Sequence, residues 1–285
     1  MAQPEASTAP RPTLTVSPIA GRVGAELGGV DLADLTDDLV AQIRQAWLEH
    51  GVVFFRNQEL TAEQFLAFAR SIGELARYPF VPGIDGHPDI IAVVKLPDEQ
   101  VNFGGIWHSD TAYLDTPPMA TMLLGREIPP SGGDTMFASQ YAAYEALSPA
   151  MQELLDPLRA INSSALADVS KTREDRVREH DGGELPLYEA THPVVRTHPE
   201  TGRRALYVNV AHTARFDGMT EEESRPLLEF LFRHQVKPEF TCRFRWEVGS
   251  LALWDNRCVQ HNPVNDYHGH KRVMHRITLQ GDVPA

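Results

Sequence analysis

Trp107-His108-Ser109-Asp110 places a histidine and an aspartate two positions apart. In an extended strand, side chains at this spacing point to the same side, so an imidazole nitrogen and a carboxylate oxygen can meet at one point in space. Two ligands hold a metal ion poorly. A third, from a distant part of the chain, would complete the 2-His-1-carboxylate set that leaves coordination positions open. Because short motifs often occur by chance, a surface histidine beside a solvated aspartate is the alternative at this point.

The best candidate for the third ligand is His261, which follows a short apolar segment ending at Trp254 and stands in a polar turn. Because the chain has 12 histidines, this position alone has little weight. Arg272 and Arg276 stand an even number of residues apart on an alternating segment, so both face one way. Buried charges are tolerated only when they are paired. The two guanidinium groups therefore either form a structural salt-bridge network or bind an anionic ligand such as a carboxylate, sulfonate or sulfate.

The composition excludes several classes of protein. At 285 residues, with 42% hydrophobic and 23% charged residues, the chain is long enough to bury a sizeable core. A formal net charge of -13, without a Lys- or Arg-rich run, argues against binding to nucleic acid or to an anionic membrane. Two cysteines are too few for a disulfide framework, and no stretch approaches the roughly 18 apolar residues of a membrane span. Without a signal-peptide pattern, these features favour a cytoplasmic protein, and a homo-oligomer is compatible with them.

The order of the predicted elements indicates one domain over residues 14–285, after a disordered tail over 1–13 that is rich in Pro, Ala and Ser. Two long polar or irregular segments, at about 74–106 and 162–189, are predicted to be lid loops because loops of this length are usually functional. Late alternating strands with a few helices indicate a mixed α/β, mainly β protein, with a barrel or jelly roll flanked by helices.

Local signals place the individual elements. Helices are predicted after the capping residues Thr36, Thr61 and Thr220, and a further helix over 142–158. Short apolar or alternating segments predict strands, among them 52–55, 90–94, 119–124, 136–137, 241–246, 251–254 and 273–279.

Several motifs, taken together, resemble one known family. They are Trp107-His108-Ser109-Asp110, Thr116-Pro117-Pro118, Gly132-Gly133-Asp134-Thr135, His192-Pro193-Val194-Val195-Arg196-Thr197-His198-Pro199, Trp254-Asp255-Asn256-Arg257, Gln260-His261 and Met274-His275-Arg276. From about Val16 to the C-terminus, the chain resembles the taurine dioxygenase (TauD/TfdA) family of Fe(II)/2-oxoglutarate-dependent dioxygenases, which includes aryloxyalkanoate and alkylsulfate dioxygenases. The resemblance implies a double-stranded β-helix, a jelly-roll variant, which agrees with the strand pattern.

The same resemblance implies the reaction. A dioxygenase of this family would bind Fe(II) through His108, Asp110 and His261 and would use O2 and 2-oxoglutarate. It would convert 2-oxoglutarate to succinate and CO2 while hydroxylating a small organic acid, such as a sulfonate, an alkyl sulfate or an aryloxyalkanoate. Hydroxylation beside a sulfonate, sulfate or ether oxygen would then fragment the product.

The resemblance also implies the cosubstrate site. Thr135 and Arg272 would bind the distal carboxylate of 2-oxoglutarate. Arg276 would lie near the metal-bound end of the cosubstrate and near the acidic group of the primary substrate. Taken alone, a threonine after a glycine turn is typical of a strand start and would not indicate a binding site.

The region expected to hold the primary substrate departs from taurine dioxygenase. Where that enzyme uses a histidine and a tyrosine to hold taurine, this chain has Tyr78 and Val81, and an asparagine is replaced by Gly104. A phenylalanine of that pocket corresponds to His212. We therefore expect a larger or aromatic acid rather than taurine. Together with Arg276, the candidate substrate-binding residues are Tyr78, Asn102, Phe103, Thr111, Tyr113 and His212.

Two other functions are compatible with some of these residues. A zinc-dependent hydrolase could use the same two histidines and aspartate to hold zinc and a water molecule, but this hypothesis leaves Thr135 and Arg272 unexplained. A non-catalytic jelly-roll protein could bind an organic acid through the arginines and have lost its metal. The complete set of His108, Asp110 and His261 argues against that hypothesis.

Overall fold

The structure is a computed structural model, and the residues it describes are 14–77, 82–166 and 186–285. The predicted tail over 1–13, Tyr78 and most of the predicted lid loop over 162–189 lie outside these ranges and remain predictions. Among the described residues, no helix combines the length and the apolar character needed to cross a membrane.

The described residues form sixteen strands, which are grouped in four sheets. The strands are β1 (Thr15–Pro18), β2 (Ala25–Gly28), β3 (Val52–Phe55), β4 (Leu75–Ala76), β5 (Ile91–Lys95), β6 (Ala120–Glu127), β7 (Thr135–Ser139), β8 (Arg159–Ser163), β9 (Glu189–Pro193), β10 (Val195–Thr197), β11 (Arg204–Leu206), β12 (Thr213–Phe216), β13 (Thr241–Phe244), β14 (Leu251–Asp255), β15 (Val259–Pro263) and β16 (Arg272–Leu279).

The largest sheet has eight strands in the order β1-β2-β3-β14-β6-β16-β4, and β5 also pairs with β16. Two three-stranded sheets have the orders β13-β7-β15 and β12-β8-β9, and β10 and β11 form a hairpin. All pairs are antiparallel except β2 with β3. The irregular segment predicted over 74–106 contains β4 in addition to the expected strand β5.

The eight-stranded sheet packs face to face against the sheet β13-β7-β15. Phe54 on β3 stacks on Phe244 of β13, with ring centroids 4.0 Å apart, and meets Phe137 of β7 edge-on at 5.4 Å. Trp254 and Met274 complete this buried cluster from β14 and β16. Two packed sheets, antiparallel except for the pair β2–β3, with flanking helices confirm the predicted mainly β jelly-roll architecture.

The run Val52–Phe55 lies at the centre of the large sheet, and both of its faces are buried. Val53 and Phe55 pack against the helices, whereas Val52 and Phe54 pack against the small sheet. A strand covered on both faces needs an apolar side chain at every position, because successive side chains point to opposite faces. This explains why the strand has a continuous apolar run instead of alternation.

Five α-helices lie in the described residues, and three of them begin at the predicted capping threonines. Thr61 with Gln64 and Thr220 with Glu223 form complete capping boxes. The prediction of a single helix over 142–158 was wrong, because this part of the chain forms two helices. Ser148 caps the second, and Pro149 lies in its first turn, where a proline ring is tolerated. The helices are α1 (Asp37–His50), α2 (Ala62–Ile72), α3 (Gln140–Glu145), α4 (Pro149–Leu155) and α5 (Glu221–His234).

Candidate active site

The space between the two packed sheets contains a cavity of about 450 Å3, its open mouth included. The predicted metal and cosubstrate residues reach it from four places in the chain: His108 and Asp110 before β6, Thr135 at the start of β7, His261 on β15, and Arg272 and Arg276 on β16. The other lining residues are Val93, Phe103, Gly104, Leu123, Trp254 and Pro263. The fold therefore brings together residues that are far apart in the sequence.

The three predicted metal ligands are buried and face one another. The carboxylate oxygen Oδ1 of Asp110 lies 3.7 Å from Nε2 of His108 and 3.9 Å from Nε2 of His261. Reciprocal backbone hydrogen bonds of 3.1 and 2.9 Å join His108 to His261. The Nδ1 hydrogen of His108 is donated to the carbonyl oxygen of Ile106 (2.7 Å), so the lone pair on Nε2 faces the other two ligands.

The charge states of these groups suit a divalent cation. Burial lowers the pKa of His108 and of His261, which keeps both imidazoles neutral. Burial alone would raise the pKa of Asp110, but Arg276, with Nη2 3.0 Å from Oδ1, and the two histidines hold that pKa well below its usual range. One ionised carboxylate and two neutral imidazoles form a donor set that fits Fe(II), and His108, Asp110 and His261 are the residues that would hold it.

Arg272 lies at one end of the cavity between two aromatic rings. Its guanidinium carbon is 5.7 Å from the ring centroid of Trp246 and 5.9 Å from that of Tyr267. The side chain is buried, and its Nε and Nη2 atoms have no hydrogen-bond partner among the described residues. A buried guanidinium with unused donors that line a cavity suits a carboxylate ligand better than a structural network.

Thr135 stands beside Arg272 in the same cavity. Its hydroxyl oxygen accepts a hydrogen bond of 2.9 Å from the indole nitrogen of Trp246. An indole N–H can only donate, so the hydroxyl hydrogen of Thr135 stays available to donate to another group. Thr135 and Arg272 together therefore present donors to the same end of the cavity.

Arg276 faces the cavity from the same side of β16 as Arg272, with Met274 between them, as the alternation predicted. Its environment differs from that of Arg272, because it forms an ion pair with a predicted metal ligand, Asp110. Arg272 thus lies beside the aromatic rings at one end of this row, and Arg276 lies beside the predicted metal ligands at the other.

Two of the predicted substrate-binding residues lie in the segment that covers the cavity. Phe103 lines the cavity directly. Asn102 is buried and donates a hydrogen bond of 3.0 Å from Nδ2 to the carbonyl oxygen of Pro263, which fastens this segment to the strand that carries His261. Asn102 therefore has a structural contact as well as its predicted role.

The other predicted substrate-binding residues cluster around His108. Thr111 has a φ of 42°, which is uncommon for a residue other than glycine and directs the chain away just after Asp110. The ring of His212 lies 4.9 Å from that of Tyr113 and 6.1 Å from that of His108. Burial lowers the pKa of His212 to about 3, so this imidazole is neutral. Thr111, Tyr113 and His212 are not among the described residues that line the cavity.

Several further residues around the site were not predicted from the sequence. Thr121 donates a hydrogen bond of 2.6 Å from its hydroxyl to Oδ2 of Asp110, and Asn256 in turn contacts Thr121. Trp246 and Tyr267 flank Arg272. Of these residues, only Asn256 could have been singled out in the sequence, because it belongs to the Trp254-Asp255-Asn256-Arg257 motif.

A second buried cluster, formed by His198, Asp255 and Cys258, also brings possible metal-binding atoms together. Its hydrogen bonds are already satisfied. Arg257 binds both carboxylate oxygens of Asp255 at 2.8 and 2.7 Å, and Nε2 of His198 lies 3.0 Å from Oδ2. Nδ1 of His198 accepts backbone hydrogen bonds from Glu200 and Thr201. This cluster is therefore a structural ion pair and not a second metal site.

Comparison with known proteins agrees with this geometry. The model of the family described as "Taurine catabolism dioxygenase TauD, TfdA family" matches residues 15–278. The chain belongs to this family. It is therefore an α-ketoglutarate-dependent dioxygenase whose reaction needs 2-oxoglutarate, O2 and a metal, as predicted. This assignment favours the dioxygenase over the zinc hydrolase and over the non-catalytic binding protein.

Individual members of the family are similar over nearly the whole chain. An alpha-ketoglutarate-dependent sulfate ester dioxygenase from Pseudomonas putida is 37% identical, over 95% of this chain and 91% of its own length. An alkylsulfatase from Acinetobacter baylyi is 34% identical, over 96% of this chain and 87% of its own length. The crystal structure of a taurine dioxygenase from Burkholderia xenovorans is 39% identical, with a TM-score of 0.81, over 96% of this chain and 93% of that one.

Proposed function

We propose that this dioxygenase uses Fe(II), held by His108, Asp110 and His261, to hydroxylate a small organic acid with a sulfate ester, sulfonate or carboxylate group. The observation that carries this proposal is the row of two buried arginines, Arg272 and Arg276, in the same cavity as the three metal ligands. The relatives described as sulfate ester dioxygenase and alkylsulfatase support the choice of substrate class.

Bound Fe(II) would supply the activation of O2 that couples decarboxylation of 2-oxoglutarate to oxygen insertion into a substrate C–H bond. The protein contributes orientation and charge. Thr135 and Arg272 would hold the distal carboxylate of 2-oxoglutarate, which fixes the other end of the molecule toward the metal ligands. Arg276 would place a positive charge beside the metal ligands, where the acidic group of the primary substrate would bind.

A substrate other than taurine is supported by Gly104, which stands where taurine dioxygenase has an asparagine. Its φ of 73° lies in the left-handed region, and a Cβ atom there would lie 2.9 Å from Cε1 of His108. A larger side chain would therefore press on a metal ligand. Glycine thus lets the backbone pass close to the His108 ring, which an asparagine at this position would not allow without a shift of that ring.

Two further predictions concern the setting of the enzyme. We propose a cytoplasmic location, which is supported by Cys242 and Cys258, two buried cysteines that form no disulfide. A homo-oligomeric state stays a prediction.

Replacing Arg272 with alanine is expected to raise the apparent KM for 2-oxoglutarate by roughly 10- to 150-fold, because a hydrogen bond to a charged group contributes about 1.5–3 kcal/mol. The KM for the primary substrate should change much less. Steady-state kinetics with each substrate varied in turn measures both values.

Lys271→Ala is the matched control, since it removes the neighbouring cation, which is exposed and pairs with Glu127 on the surface. Its KM for 2-oxoglutarate should equal that of the unmodified enzyme. An unchanged KM in Arg272→Ala would mean that Arg272 is structural.

Replacing Arg276 with glutamine keeps length and polarity but removes the charge. We expect it to lower kcat/KM for the acidic substrate by roughly 10- to 150-fold. The measurement is substrate-stimulated consumption of 2-oxoglutarate over a panel of sulfonates, alkyl sulfates, aryloxy acids and their neutral analogues.

Basal 2-oxoglutarate consumption without a primary substrate is measured in parallel, because Arg276 also contacts Asp110 and its loss can slow this reaction. The ratio of stimulated to basal rates isolates the effect on the substrate. If a neutral or cationic compound were the best substrate, and Arg276→Gln still accepted it, the acid hypothesis would be wrong.

A further inference from the structure

A chain of three buried hydrogen bonds leads from Trp254 to the carboxylate of Asp110. The indole Nε1 of Trp254 donates to Oδ1 of Asn256 (2.9 Å). Nδ2 of Asn256 donates to the hydroxyl oxygen of Thr121 (3.0 Å), and this hydroxyl donates to Oδ2 of Asp110 (2.6 Å). All four side chains are buried, so water does not compete with these bonds.

The first donor, Trp254, fixes which group donates and which accepts in each of these hydrogen bonds. An indole N–H has no lone pair to offer, so it can only donate, and the amide oxygen of Asn256 must face Trp254. The amide nitrogen then faces Thr121, and because it too can only donate, the hydroxyl oxygen accepts from it. The single hydroxyl hydrogen of Thr121 is thereby left for Asp110. The backbone N–H of Asp110, 3.4 Å from Oδ1 of Asn256, agrees with this amide orientation.

Backbone contacts also hold Thr121, Asn256 and Asp110 close together. Thr121 lies on β6, whereas Asn256 follows β14, the neighbouring strand. The hydroxyl of Ser109 donates to the carbonyl oxygens of Asn256 (3.0 Å) and Val259 (3.2 Å), which ties the His-x-Asp segment to the turn before β15. The residue between the two metal ligands of the motif thus has a structural role of its own.

We propose that Thr121 and Asn256 are positioning residues that hold the carboxylate of Asp110 with Oδ1 directed toward the metal. The short bond from Thr121 occupies Oδ2, and Oδ1 is the oxygen that lies 3.7 and 3.9 Å from Nε2 of His108 and His261. A carboxylate whose second oxygen is hydrogen-bonded presents its first oxygen in a fixed orientation, and such partners strengthen metal binding. This inference rests on the proposed metal site.

The test is a titration of the metal-free enzyme with Mn(II) in the absence of 2-oxoglutarate. The electron paramagnetic resonance signal of free Mn(II) measures how much of the ion remains unbound. Thr121→Val removes the hydroxyl at nearly constant volume and is expected to weaken binding by about 10- to 100-fold, the usual effect of losing a partner of a metal ligand. Thr121→Ala, a second hydroxyl-free variant, should weaken it similarly. Thr121→Ser restores the donor and should bind Mn(II) nearly as the unmodified enzyme does.

Thr278→Val is the matched control. Thr278 lies directly opposite Thr121 in the pairing of β16 with β6 and is also buried, but its hydroxyl has no hydrogen-bond partner among the described residues. The same substitution there should leave Mn(II) affinity unchanged. Circular dichroism of each variant verifies that the fold is retained, so that a loss of affinity reports on the site.

His261→Ala separates the two proposals. Mn(II) binding of normal affinity in His261→Ala would overturn the metal site itself. If His261→Ala does not bind, but Thr121→Val and Thr121→Ala bind as tightly as Thr278→Val, the metal site stands and the positioning role is overturned. Weakened binding in both hydroxyl-free variants, with recovery in Thr121→Ser, supports the proposal.

Discussion

Replacing His261 with alanine is expected to lower metal-dependent turnover of 2-oxoglutarate by more than about 100-fold, beyond the usual effect of losing a partner of a metal ligand. Three protein ligands are the set that leaves open positions on Fe(II), and two hold the ion poorly. The fold should survive, because Nδ1 of His261 has no hydrogen-bond partner among the described residues and Nε2 faces Asp110. Succinate formation with added Fe(II) measures the loss.

His275→Ala is the control for this variant. His275 lies on β16 between Met274 and Arg276, it is only partly buried, and it is not among the described residues that line the cavity. Its replacement removes an imidazole from the same sheet and should leave turnover near that of the unmodified enzyme. Near-normal activity in His261→Ala would rule out His261 as the third ligand.

Replacing Arg257 with methionine is expected to lower the free energy of unfolding by about 3–5 kcal/mol, the usual cost of removing one partner of a buried ion pair. Arg257 binds both carboxylate oxygens of Asp255, which is buried, and also contacts Glu200 at 2.8 Å. His198 contacts only Oδ2 of Asp255, so without Arg257 no side chain would bind Oδ1 among the described residues. Denaturant-induced unfolding measures the change.

Arg204→Met provides the comparison for this stability measurement. Arg204 pairs with Asp156 at 2.6 Å, but the two side chains are 40% and 33% exposed, so water already solvates much of both charges. Exposed pairs contribute about 0–1 kcal/mol, and the loss should stay within that range. Equal losses in the two variants would show that the buried position of Asp255 has no special importance for stability.

Features that depend on neighbouring residues in the sequence could be predicted. A helix N-cap depends only on the side chain of the capping residue and on the amide three positions later. The helices that follow Thr61 and Thr220 therefore begin as expected. The pairing of strands could not be predicted in the same way. β14 lies between β3 and β6, which are distant from it in sequence, and no local pattern records that neighbourhood.

In the candidate site, too, local features could be predicted and long-range contacts could not. The spacing of His108 and Asp110 predicts two ligands on one side of a strand. The structure does bring the two side chains together, but their segment forms an isolated bridge to His261 and not a strand. Thr121 has no such pattern, since a threonine in a strand is ordinary and its importance arises from the fold that brings it to Asp110. The alternation of β16 gave Arg272 and Arg276 one common face, but it could not distinguish the arginine between two aromatic rings from the one paired with Asp110.

The reciprocal backbone hydrogen bonds between His108 and His261 have a consequence for how the enzyme acquires its metal. They connect the two segments that carry the imidazoles through the main chain. In proteins that fold only around their metal, the ion must assemble its ligands from a disordered chain, and chelation then causes unfolding. Main-chain hydrogen bonds already join two of the predicted ligands here, so we expect chelation to remove the metal and leave the protein folded. We therefore expect different divalent ions to compete for this one site.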